Sequence, residues 1–137
     1  MKELMIIYAL SFVGRPYIWG GQNPLKGFDC SGFVQEVLAS IGLDPRGDQT
    51  AQTLYHHFLQ IGYGSSCSRG ALLFFGKSED KITHIALALS DKIMLEAGGG
   101  GSKTVNADIA AKQGAFVRVR PIKSRSDLIA AIMPLYQ

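Results

Sequence analysis

Cysteine is scarce in this chain, with only Cys30 and Cys67 in 137 residues. A chain of this length builds a sizeable core without a covalent staple, and two cysteines make no disulfide framework. Nor is there a cysteine cluster with zinc spacing. A Cys30–Cys67 disulfide is only weakly indicated, and a nucleophilic Cys30 has to be free. Long apolar runs are also missing. No stretch approaches the roughly 20 apolar residues that cross a bilayer. Met1 to Val13 holds one lysine, one glutamate and a brief apolar run, without a small-residue cleavage site of the signal-peptide kind. The expectation is a soluble protein with no signal peptide, cytoplasmic as synthesised. Release through lysis, a phage particle or a secretion machine stays open. Charge is sparse too, at 18% of residues, with Lys+Arg 14 against Asp+Glu 11 for a net +3. No dense basic run interleaved with aromatics points to nucleic acid. No linker or internal repeat divides the chain, so one domain over 1–137 is expected.

Glycine is plentiful, at 16 residues, and much of it clusters near candidate site loops. Gly98-Gly99-Gly100-Gly101 exposes backbone as a ligand-binding edge would, but no Lys-Ser/Thr follows it, which excludes a phosphate loop. The other glycine-bearing stretch is the more informative one. Tyr17-Ile18-Trp19-Gly20-Gly21 leads through a Pro/Gly-containing loop to Phe28-Asp29-Cys30-Ser31-Gly32-Phe33. Phe33, Val34, Val37, Leu38 and Ile41 then recur at helical spacing, which sets Cys30 in the first turn of a helix ending near Gly42. Unpaired N–H groups and the positive dipole end favour a thiolate there, and the thiolate is the reactive form of cysteine. The competing reading is a small buried hydrophobe that starts a helix.

Leu4, Ile7, Tyr8, Leu10 and Phe12 fit a short helix stopped by Gly14 and Pro16. A second helix is expected over about 50–60, capped by Asp48 or Thr50 and buried through Leu54, Phe58 and Ile61. His56 and His57 lie there without ligand companions and read as surface or packing residues. Short apolar segments at 71–75, 82–89 and 93–97, separated by polar turns, predict an antiparallel meander. A helical turn is expected around 108–112 and an edge strand over 115–120. A terminal helix is expected over 127–133, packing through Leu128 and Ile132.

His84 stands near the start of an otherwise apolar strand, as either a satisfied structural residue or an imidazole projecting toward Cys30. In the second role it takes the thiol proton and later donates one to a leaving group. Glu96 lies twelve residues on, across the Ser90-Asp91-Lys92 turn. On adjacent antiparallel strands the two share a face, and the carboxylate can orient the imidazole. Its plainer reading is a polar residue at a strand end. Asp29 reads as a local structural or substrate contact. The Cys30 N–H offers an oxyanion donor, and the Tyr17 hydroxyl a second.

Taken together, Tyr17-Ile18-Trp19-Gly20-Gly21, Phe28-Asp29-Cys30-Ser31-Gly32-Phe33, Leu72-Leu73-Phe74-Phe75 and Thr83-His84-Ile85-Ala86 resemble the NlpC-type cell-wall cysteine peptidases, a papain-like superfamily. The resemblance spans roughly residues 5–125. It implies an α+β fold, with N-terminal helices packed on a small, mostly antiparallel sheet. It also implies Cys30 as nucleophile, His84 as base and acid, Glu96 in the histidine-orienting position and Tyr17 beside the oxyanion. The implied substrate is a peptidoglycan stem peptide, cleaved next to a D-glutamyl residue, with no cofactor. Two departures stand out. Glu96 occupies a place usually held by histidine, asparagine or glutamine, and Ala71 in Arg69-Gly70-Ala71-Leu72 replaces a common aspartate. Phage tail or secretion-machine proteins are the partners such a context suggests. An amidase or acyltransferase on the same scaffold, and a catalytically weak module, are the competing readings.

Overall fold

The computed structural model describes every residue except Tyr63, Ser65 and Gln137. The first helix, α1, runs Lys2–Leu10 and buries Met5, Ile6 and Ala9. Leu4 and Ile7, expected on the buried side, are 65% and 62% exposed. The helix is apolar on nearly all sides, so its spacing did not single out the packed face. A two-stranded ribbon follows, β1 (Gln22–Asn23) against β2 (Gly27–Phe28). It delivers the chain to α2 (Cys30–Ala39), which buries Phe33, Val34, Val37 and Leu38 as its periodicity predicts. Next comes α3 (Ala51–Ile61). Thr50, not Asp48, caps it, in a reciprocal box with Thr53. Its Leu54 and Phe58 are buried, whereas Ile61 is largely exposed.

The meander forms as β3 (Leu72–Gly76), β4 (Ile82–Ala88) and β5 (Ile93–Gly98). A short helix, α4 (Ala107–Gln113), leads into β6 (Phe116–Pro121), which pairs with β5 at one edge of the sheet. The expected terminal helix does not form. Leu128–Ile132 is instead a strand, β7, antiparallel to β3 at the opposite edge. Five residues of Leu-Ile-Ala-Ala-Ile suit either period, and the open edge of β3 supplies backbone partners that an isolated turn of helix lacks. The strand order is β6-β5-β4-β3-β7, antiparallel throughout.

Two apolar layers hold this sheet. Leu72, Phe74, Ile85, Leu87 and Leu95 pack with the helix residues Phe33, Val37, Leu54 and Phe58. Leu73, Phe75, Ala86, Ala88 and Met94 gather on the other side with Ile122 and Ala131. Each large side chain so buried contributes about 1.5–3 kcal/mol. Ala71 belongs to the second layer and is fully buried, where an aspartate would need a partner. Among the described residues no helix is long and apolar enough to cross a membrane.

Candidate active site

Asp29 builds the start of α2. Its backbone is extended, and its carboxylate accepts from the Gly32 N–H at 2.7 Å and from the Ser31 hydroxyl at 3.3 Å. The Asp29 N–H donates to the Gly21 carbonyl at 3.1 Å. Asp29 is thus an N-cap, in keeping with a local structural role, and it fixes Cys30 as the first residue of the helix. Gly32 matters for the same reason, since a Cβ there would run into the Gly21 carbonyl oxygen. Cys30 and Cys67 are both free thiols.

Cys30 meets the sheet at His84. His84 is 7% exposed, and its Nε2 lies 2.8 Å from Glu96 Oε1. Nδ1 is not engaged by Glu96, and Cys30 lines the same hollow as the ring. The alternation expected for β4 and β5 holds, and Glu96 shares a face with His84. Glu96 is 3% exposed. Its Oε2 accepts from Arg118 Nε at 3.0 Å, and Arg118 is its direct cross-strand partner on β6.

The charges alternate, and titration follows from that. Burial alone would push the His84 imidazole down. Its bonds with Cys30 and Glu96, and the negative charges there, outweigh burial and hold it up at about 9 from an ordinary 6.5. Burial likewise works against the Glu96 carboxylate, but His84 and Arg118 keep it below the usual carboxylate range.

Tyr17 is held by a backbone bond to the Ala115 carbonyl at 3.0 Å and a bridge to Phe28. Burial, together with the negative charges of Cys30 and Asp29, raises its hydroxyl well above its ordinary value, so it stays a donor. Tyr17, Trp19 and Thr83 stand between two hollows with Cys30 at their junction. The first, about 210 Å³, is lined by the Gly98–Gly101 tract, Arg118 and Arg125. The second, about 290 Å³, carries Asp29, Ser31 and Thr50. All four residues singled out in sequence, Cys30, His84, Glu96 and Tyr17, therefore converge on one cleft. His56 and His57 stay outside it, His56 near Gln52 and His57 against the Phe58 ring.

Arg118, Arg125 and Asp127 were not picked out beforehand. Arg125 pairs with Asp127 at 2.8 and 3.0 Å, with its guanidinium 5.0 Å from the centre of the Phe75 ring, which neighbours His84. The signal for Arg118 was indirect. A carboxylate expected inside a sheet demands a cation, but 14 lysines and arginines were available to supply it.

A cysteine starting a helix, a histidine on a sheet strand and a carboxylate behind it make a papain-like arrangement. The chain belongs to the NlpC/P60 family, which it matches over residues 14–120. It is 36% identical over 102 residues to the bifunctional muramidase/DL-endopeptidase CwlT of Bacillus subtilis, covering 72% of this chain and 30% of that protein. It is 37% identical over 116 residues to the peptidoglycan endopeptidase RipB of Mycobacterium tuberculosis, covering 74% and 45%. The chain thus spans less than half the length of these relatives. Its fold superposes on the NlpC/p60 domain of the peptidoglycan hydrolase SagA with a TM-score of 0.69 and 26% identity, covering 96% of this chain and 97% of that one.

Proposed function

We propose that this chain is a cysteine endopeptidase that hydrolyses an amide bond of bacterial peptidoglycan stem peptides, next to a D-glutamyl residue. One observation carries the reading: His84 is bonded to the buried Glu96 carboxylate and lines one hollow with the Cys30 thiol. The relatives named above, described as endopeptidases, support the substrate class. The cleft extends on both sides of Cys30, as a chain cut in its middle requires.

In this reading the Cys30 thiolate attacks the scissile carbonyl carbon and a C–S bond forms. The developing oxyanion takes hydrogen bonds from the Cys30 N–H and the Tyr17 hydroxyl. His84, as imidazolium, gives its proton to the leaving amine and the C–N bond breaks. Water then attacks the thioester. His84 accepts its proton, the C–S bond breaks, and the thiolate returns. Glu96 holds the ring and its tautomer throughout.

Digestion of defined stem peptides, with mass identification of the products and Cys30→Ala alongside, tests this. Cleavage of one amide, lost in the variant, is the expected result. No cleavage by reduced protein at any pH from acid to alkaline would reject it. Transfer of the acyl group to an added amine in place of water would favour an acyltransferase.

A further inference from the structure

The pair behind His84 carries more than an orienting carboxylate. Glu96 and Arg118 are opposite residues on β5 and β6, and each Glu96 oxygen has its own partner, His84 on Oε1 and Arg118 on Oε2. The guanidinium is held from behind as well, with Nη1 donating to the Gly114 carbonyl at 3.3 Å. The Glu96 side chain is 4% exposed and that of Arg118 is 28% exposed. Without a counter-charge, a carboxylate at this depth is costly. It would also sit as a second negative charge beside a group that has to become a thiolate.

We infer that Arg118 is a positioning residue for the reaction: it fixes Glu96 against His84 and cancels its charge, so that Cys30 can ionise beside a buried carboxylate. The inference rests on the reading of Cys30, His84 and Glu96 as the reacting set. Thiolate, imidazolium, carboxylate and guanidinium then form an alternating row with no net charge. Removing Arg118 leaves the row at −1, and removing the Glu96 charge leaves it at +1. The other charged and titratable groups facing the row are few. Asp29 and Tyr17 lie near Cys30 and are the same in every variant considered below. Arg125 and Asp127 approach His84 but neutralise one another. Among the lysines and arginines of the described residues, Arg118 is the one in direct contact with Glu96, whose other oxygen faces His84.

The test needs no substrate. The rate of Cys30 alkylation by iodoacetamide is followed from pH 4 to 11, read by mass spectrometry on the Cys30 peptide so that Cys67 does not contribute. The proteins are wild type, Arg118→Gln, Arg118→Lys, Glu96→Gln and the double variant Glu96→Gln/Arg118→Gln, each with a thermal melt. Arg118→Gln is expected to move the midpoint of the reactivity rise to higher pH by up to about one unit, the low end of the range for a charge in direct contact, since Glu96 and His84 stand between. Glu96→Gln is expected to move it the opposite way, and the double variant to return it close to wild type. Arg118→Lys keeps the charge and is expected to keep the midpoint. An edge-strand salt bridge with a merely structural role would lower the melting temperature and leave the midpoint alone. If Arg118→Gln does not fold, adding it to Glu96→Gln must still move the midpoint to higher pH. A midpoint that shifts with Glu96→Gln and never with Arg118→Gln overturns the inference and leaves the Glu96 assignment standing. No shift in either variant overturns both.

Discussion

Consider a single methyl group added to the glycine tract, Gly98→Ala. The Cβ would stand 2.5 Å from Glu96 Oε2, 2.9 Å from its Cδ and 3.2 Å from Arg118 Nη2. Its backbone φ is not in the left-handed region, so the substitution acts through crowding alone. To regain ordinary contact the carboxylate must retreat by about 1 Å, and van der Waals repulsion leaves little room for less. Its bonds to His84 and Arg118 measure 2.8 and 3.0 Å. Lengthening either by that amount takes it past hydrogen-bond range. One lost charge-assisted bond costs about 1.5–3 kcal/mol of stability. A comparable misplacement of the imidazole costs about a hundredfold in kcat/KM.

The assay is kcat/KM on a defined stem peptide beside a thermal melt, with Gly101→Ala as control. A Cβ on Gly101 meets nothing within 4 Å, so that variant should melt as wild type does. Wild-type activity and melting in Gly98→Ala would refute the crowding argument. An equal defect in Gly101→Ala would show that the tract's flexibility matters, and not the space beside Glu96.

Other outcomes follow from the same geometry. Gly32→Ala forces the first turn of α2 off the Gly21 carbonyl, and should cost about 1–3 kcal/mol in denaturant unfolding and most of the activity, because Cys30 moves with it. Asp29→Ala should lower stability by about 1 kcal/mol through loss of the cap, and Asp29→Asn by less, as unfolding midpoints would show. Activity should fall on the alkaline side as pH rises through about 9 and His84 loses its proton. Because that group is raised on folding, its contribution to stability is fully present below about 6.5 and declines as pH rises. It is gone above about 9 and is on the order of 3 kcal/mol. Melts of wild type and His84→Ala at pH 6 and pH 10 should differ more at pH 6, and equal differences would contradict the shift.

Much of this was legible from local pattern. The α2 periodicity and the turn-separated meander are short-range signals, and both formed where expected. Cys30 and His84 could be paired because the chemistry of a thiol and an imidazole is recognisable before their contact is known. What stayed hidden depends on partners distant in sequence. Leu128–Ile132 became a strand because β3 had an open edge. The outward face of α1 could not be chosen, since Leu4 and Ile7 are as apolar as Met5 and Ile6. Arg118 and Arg120 looked alike as alternate basic residues of one strand. Only the β5–β6 register turns the first of them onto Glu96.

Cys30 belongs to a helix, whereas His84, Glu96 and Arg118 belong to three neighbouring strands. Neither layer holds the proposed Cys30–His84 pair by itself. A chain whose helices have formed without docking carries an ordinary surface thiol, and a detached sheet carries an imidazole with nothing to activate. On the proposed pairing with His84, reactivity at Cys30 counts docked molecules. The fraction of rapidly alkylated thiol in a population reports how many copies have closed the helix–sheet seam. Local opening of that seam would silence the chain well before its secondary structure is lost.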